Sequence, residues 1–181
     1  MTTRTALLRR EGDTRDGRRY LMRPANERDA AALVALQDAV AAEGGLIAAA
    51  PGARSVVEEM VSHDALLAGG GLSIVVEVDG TLAGHLEVRR GTEPHSAHRG
   101  ELAIIVGNEY RGQGLGRILM ETAIEWSRAV GLVMLSLAVF SSNARAISLY
   151  RAVGFAGSGT APTRIRTHDG ERDLLLMNLT L

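Results

Sequence analysis

The stretch "ELAIIVGNEYRGQGLGRILMETAI", residues 101–124, runs from an acidic residue through an apolar strand pattern into alternating glycines and then a helix pattern. Gly112, Gly114 and Gly116 stand at the mouth of that helix, where glycine costs roughly 1 kcal/mol relative to alanine. A local preference broken at that cost implies that something comes close to the backbone there. A strand feeding a glycine-rich turn that opens a helix aims free backbone N–H groups and the helix dipole at one spot, an arrangement suited to phosphate. A Walker A loop is excluded, because the lysine-free chain has no G-x-x-x-x-G-K-[ST]. The dinucleotide fingerprint fails too: the spacing is G-x-G-x-G and no acid ends the next strand. Taken alone, the glycines fit either a cradle for another phosphate-bearing ligand or a tight turn that packs helix on strand.

The rest of the chain frames that stretch. Its 181 residues suit one domain, residues 1–181, with a core from about 20 to 181 and residues 1–18 as an extension or extra strand. Hydrophobic content of 46%, 23% charged residues and a net charge of -1 describe an ordinary globular protein with no general attraction to nucleic acid or an anionic membrane. All 20 basic residues are arginine, and the absence of cysteine removes disulfides and a thiol nucleophile. With no signal-peptide pattern or long apolar span at the N-terminus, the expectation is a cytoplasmic, bacterial protein.

"YLMRPA" (20–25) reads as a strand, after a loose strand in "TALLRREGDTRDGRR", and "NERDAAALVALQDAVAAE" begins a helix on an asparagine cap. A glycine- and alanine-rich connection leads to a helix from Ser55 to about Leu67 and a break at Gly69 to Gly71, a segment suited to a substrate-facing loop. "LSIVVEV" and "LAGHLEVRR" flank Asp79-Gly80, a strong hairpin signal, and "ELAIIV" extends them into an antiparallel meander. The helix after the glycines carries Leu115, Leu119, Trp126 and Val130 at helical spacing and stops at Gly131. "LVMLSLAV" then reads as a buried strand, because it is short and continuously apolar. Asn143 to Val153 forms a further helix closed by Gly154, and "RIRTHDGERDLLLMNL" reads as two strands joined through Asp169-Gly170.

The second motif, "NARAISLYRAVGF", decides between the readings of the glycines. Together the two stretches resemble the GNAT superfamily of N-acetyltransferases. Its [RQ]-x-x-G-x-[GA] loop is met by Arg111, Gly114 and Gly116, and its N-x-x-A-x-x-L-Y-x-x-x-G-F segment by Asn143, Ala146, Leu149, Tyr150, Gly154 and Phe155. The resemblance implies an α/β (α+β) domain: a mixed, mostly antiparallel twisted sheet flanked by helices, with splayed central strands holding acetyl-CoA as co-substrate. It implies that Ile104, Ile105 and Val106 pair with the pantetheine arm, and that Arg111, Gly112, Gln113, Gly114, Leu115, Gly116 and Arg117 wrap the pyrophosphate. Asn143 and Tyr150, seven residues apart, share one helix face at roughly 10 Å with Ala146 between them, leaving room for a ligand. Asn143 also suits a plain helix cap, and Tyr150 a core tyrosine; similar tyrosines in the family are proposed to protonate the departing thiolate.

The implied activity is direct transfer of acetyl from acetyl-CoA to a primary amine, of a small molecule or a protein, in a ternary complex. The alternative is a non-catalytic acyl-CoA-binding or regulatory module. An amine arrives mostly as ammonium and the leaving thiol has a reference pKa of about 8.5, so a base and an acid are both useful. The peptide N-terminal branch of the family commonly carries a glutamate where this chain has Ala138, which weakens an assignment to peptide acetylation. Glu101 is the first candidate base, with Glu87 and His85 behind it. His95 and His98 form an H-x-x-H pair, but no further ligands stand nearby and no metal is expected. The acceptor, the preferred acyl group and the oligomeric state, a homodimer included, are left open.

Overall fold

The computed structural model describes residues 8–158, 163–168 and 170–181. Strands β1 (Arg10–Asp13) and β2 (Arg19–Pro24) form an N-terminal hairpin, and α1 (Ala30–Ala42) and α2 (Val56–Ala68) follow. The antiparallel meander expected from the sequence is β3 (Leu72–Val78), β4 (Thr81–Arg90) and β5 (Arg99–Val106). The remaining elements are α3 (Leu115–Ala129), β6 (Met134–Phe140), α4 (Ala144–Ala152), β7 (Ala156–Gly157), β8 (Thr163–Thr167) and β9 (Gly170–Thr180). Among the described residues these strands make one sheet in the order β1-β2-β3-β4-β5-β6-β9-β7, with β8 also on β9. All pairings are antiparallel except β5 with β6. The turn proposed at Asp169-Gly170 lies partly outside the described residues, since Asp169 is not among them.

Local signals explain most boundaries. The Asn26 side chain accepts from Arg28 N–H at 3.0 Å while Asp29 accepts from Asn26 N–H at 2.8 Å, a capping box that opens the first helical segment with a short 3₁₀ turn, Glu27–Asp29, ahead of α1. Ser55 and Glu58 repeat the device at α2. The β3–β4 turn has both Asp79 (φ 49°) and Gly80 (φ 80°) in the left-handed region, the backbone a two-residue hairpin needs.

The two faces of the sheet differ in chemistry. On one face Ile74, Val76, Leu86, Val88 and Leu102 pack against Leu119, Met120 and Ala123 of α3 in the main core. On the other, under α1 and α2, Val75 packs with Ala25 and Leu33, and buried aliphatic side chains such as Leu36, Val40 and Leu66 share the layer with polar groups. There Arg23 binds both carboxylate oxygens of Asp29 at 2.7 Å and also Glu77, and Ser73 shares a 2.9 Å hydrogen bond with His85. Burial would raise the Asp29 carboxyl, but its bonds to Arg23 and to the Asn26 N–H outweigh this and hold it below the ordinary range. Burial keeps His85 below its ordinary value.

Strand β6 departs from the sequence reading. It alternates rather than being buried throughout: Leu135, Leu137 and Val139 face the core, whereas Ala138 is exposed. A continuously apolar run normally marks a strand covered on both faces; here α1 and α2 pack mainly on β3 to β5, and the second face of β6 is open at Ala138 although Phe140 on the same face is buried.

Candidate active site

The site originates in a broken pairing. β5 and β6 run parallel and in register only at Arg99–Met134, Gly100–Leu135 and Glu101–Ser136. Beyond Glu101, β5 stays with β4 and β6 stays with β9, so the sheet opens into a cleft of about 660 Å³. Strand alternation divides this cleft. Leu102 belongs to the α3 core, so Ile104 and Val106 share that face, whereas Glu101, Ala103 and Ile105 share the α1/α2 face with Glu87 and His85.

At the α3/α4 face lies the glycine loop. Gly114 is the N-cap of α3 with φ 94°, and Gly112 has φ 84°; both need the left-handed backbone that glycine alone adopts without strain. A Cβ on Gly112 would stand 3.0 Å from the Arg145 guanidinium, and one on Gly116 would stand 3.0 Å from the Leu149 side chain. Among the described residues the N–H groups of Gly112 to Gly116 have no hydrogen-bond partner, while Arg117 N–H bonds the Gly114 carbonyl at 3.1 Å. The loop is therefore a set of unpaired backbone donors with no side chain to fill it, which fits a diphosphate.

The residues picked out by the sequence distribute as follows. Glu101, Ile104, Ile105, Val106, Arg111, Gly112, Gly114, Gly116, Arg117, Asn143 and Tyr150 line the cleft. Gln113 and Leu115 do not: the Gln113 side chain accepts from Asp16 N–H at 3.1 Å, and Leu115 is buried in the core, so each offers the loop only its backbone. Asn143 caps α4, accepting from Ala146 N–H at 3.1 Å, and lines the cleft as well. Tyr150 is 7% exposed, its ring tilted against Phe155 at 6.2 Å, and its hydroxyl has no hydrogen-bond partner among the described residues. Burial pushes its pKa up to about 12.

Two candidate bases are displaced. His85 is held by Ser73 beneath the helices and Glu87 is paired with Arg89 at 3.3 Å; neither lines the cleft. Glu101, at the point of divergence, lines it and has no ion pair among the described residues. Among the described residues no group of three or more His, Cys, Asp and Glu side chains could hold a metal.

Arg111 lines the cleft with its charge already paired. Its guanidinium forms a two-pronged ion pair with Glu43, both contacts at 2.6 Å, and its Nε donates to the Val106 carbonyl at 2.9 Å. The charge is thereby committed to tying the end of α1 to the end of β5. Two further cleft-lining arginines stand by the loop, Arg15 outside both motifs and Arg145 at a variable position of the second. Arg15, in the β1–β2 turn, donates to the Gly112 carbonyl at 3.3 Å, and Arg145 opens α4.

With this geometry in place, comparison with known proteins identifies the class. The model of the acetyltransferase (GNAT) family matches residues 43–155, and the chain belongs to that family. It is 38% identical over 92 residues to the L-methionine sulfoximine/L-methionine sulfone acetyltransferase of Pseudomonas paraeruginosa, covering 51% of this chain and 49% of that protein. It is also 38% identical over 78 residues to the [ribosomal protein bS18]-alanine N-acetyltransferase of Escherichia coli, covering 43% and 53%. The chain thus spans about half the length of the curated relatives it matches. In structure it is similar to a GNAT-family acetyltransferase from Streptococcus pneumoniae, with a TM-score of 0.81, 27% identity, and coverage of 90% of this chain and 99% of that one. The single mixed-sheet domain with splayed central strands is the fold of the family.

Proposed function

We propose that the chain is an acetyl-CoA-dependent N-acetyltransferase that moves the acetyl group directly to a primary amine in a ternary complex. The observation that carries this is the cleft at the β5–β6 divergence, which joins a glycine loop with unpaired N–H groups, the Tyr150 hydroxyl and the Glu101 carboxylate. Acetyl-CoA supplies a thioester whose carbonyl carbon accepts the amine. The N–H groups of Gly112 to Gly116 hold the diphosphate, helped by Arg15, Arg117 and Arg145. The open edge at Ile104 to Val106 receives the pantetheine arm as an added strand would. Glu101, on the opposite face, attracts the ammonium and takes its proton, directly or through water. Tyr150 donates toward the departing sulfur. No described helix is long and apolar enough to cross a membrane, and a cytoplasmic location belongs to the same proposal.

The test follows thiol release from acetyl-CoA across a panel of small amines and short peptides. Glu101→Gln is expected to lower turnover by roughly 100-fold and to alter the acidic limb of the pH profile, with acetyl-CoA affinity unchanged. An unaltered profile in the folded variant would remove Glu101 from the base role. Thiol release with no amine on the panel would reduce the chain to an acyl-CoA-binding module.

A further inference from the structure

The turn between β1 and β2, residues 14–18, precedes the segment matched to the family and lies outside both motifs, yet it is fastened to the glycine loop. It is stiff in itself. Thr14 N–H donates to the Arg18 carbonyl at 2.8 Å, and Arg18 N–H returns to the Thr14 hydroxyl at 2.9 Å. That hydroxyl donates to the Asp16 carboxylate, which also accepts from Arg18 Nε at 2.9 Å, and Gly17 closes the turn at φ 85°.

From this base the turn grips residues 109–113. Arg18 donates to the Glu109 carbonyl at 3.4 Å, and its guanidinium stands 5.1 Å over the Tyr110 ring. Arg15 donates twice, its guanidinium to the Gly112 carbonyl and its N–H to the Gln113 carbonyl, both at 3.3 Å. The Gln113 side-chain oxygen accepts from Asp16 N–H at 3.1 Å. The peptide bonds of the described residues are all trans, and in a trans peptide the carbonyl and the following N–H point in opposite directions. With the Gly112 and Gln113 carbonyls fixed on the turn, the N–H groups of Gln113 and Gly114 are directed away from it, and neither has a partner among the described residues. The glycines make such support useful: Gly112 (φ 84°) and Gly114 (φ 94°) allow the loop its backbone and equally allow it to leave.

Resting on the acetyltransferase reading, we infer that the β1–β2 turn is a brace that pre-sets the glycine loop for the diphosphate of its acyl donor, with Gln113 and Arg15 as positioning residues. A loop already ordered in the free protein loses less freedom when the donor binds, so the gain in affinity falls on donors that carry the diphosphate. The chain thereby selects nucleotide-bearing thioesters over short ones such as acetyl-pantetheine. The two positioning residues differ in what their replacement can reveal. Arg15 also lines the cleft, so replacing it removes a charge along with the support. The Gln113 side chain is uncharged and held on the turn, so it isolates the support.

The experiment compares the full wild-type chain with Gln113→Met, similar in length but without the acceptor, and with Gln113→Glu, which keeps one. Gln113 is half-buried and outside the core, so both variants can fold. Backbone NMR relaxation of the free proteins is expected to give order parameters of about 0.85 at residues 112–114 in wild type and Gln113→Glu, and below about 0.6 in Gln113→Met. Saturating acetyl-CoA is expected to restore the rigid value in Gln113→Met. Calorimetry is expected to show the acetyl-CoA Kd of Gln113→Met raised about 10-fold. Its preference for acetyl-CoA over acetyl-pantetheine, taken as the ratio of the two Kd values, should fall by the same factor. A loop as rigid in folded Gln113→Met as in wild type overturns the inference, and so does an unchanged acetyl-CoA Kd or an equal loss for acetyl-pantetheine. Each of these leaves the cofactor reading standing while wild type binds acetyl-CoA; failure of wild type to bind it overturns both.

Discussion

Replacing Tyr150 by phenylalanine is expected to lower single-turnover acetyl transfer by about 10- to 1000-fold, the scale of one general-acid contribution, while the fold and acetyl-CoA affinity persist. The ring is packed on Phe155, and that contact survives the substitution, so packing is separated from proton donation. Burial pushes the hydroxyl up to about 12, so it stays protonated throughout any practical assay range. The folded value lies above the reference of about 10, so Tyr150 contributes no basic limb to the rate profile until well above pH 10. At neutral pH it can always donate to the leaving sulfur. A thioester with a more acidic thiol needs less help to depart and should partly rescue the variant. Equal rates for wild type and variant with acetyl-CoA would return Tyr150 to a packing role.

Gly114→Glu is expected to weaken acetyl-CoA binding by about 100-fold or more, a loss of at least roughly 2.7 kcal/mol. Gly114 is the N-cap of α3 at φ 94°, a backbone that strains any residue with a Cβ, at a cost of order 1–3 kcal/mol. A Cβ there meets nothing within 4 Å, so the side chain is not rejected by collision and the variant can fold. Its carboxylate would lie among the same N–H groups that the diphosphate needs, and like charge would repel the phosphates. Gly114→Ala carries the strain without the charge and should show a smaller loss. Similar affinities for the glutamate variant and wild type would remove the phosphate from this loop.

The fold and half of the site could be read from the chain because local rules dominate there. The capping boxes at Asn26 and Ser55, the Asp79-Gly80 turn and the 3.6-residue stripe of α3 are each set by neighbours within one or two turns. The glycines were legible because they break a preference. What escaped reading depends on residues far apart. Arg15 reaches the loop from 97 positions away, and the Glu43–Arg111 pair spans 68, so neither spacing carries a signal. Arg145 could have been found: it lies in the first turn of α4, on the side of the motif asparagine. The open face of β6 was hidden for a different reason. A continuous apolar run looks the same whether a helix covers it or a ligand does.

The most direct test of the central claim is hydrogen exchange of the wild-type chain with and without acetyl-CoA. In the free protein the N–H groups of Gly112 to Gly116 have no partner among the described residues and should exchange quickly. Acetyl-CoA held by the loop and along the β5 edge should slow exchange at residues 112–116 and at Ile104 to Val106 together. Unchanged exchange in both segments at saturating acetyl-CoA, or protection confined to another part of the sheet, would contradict the placement of the cofactor in the β5–β6 cleft.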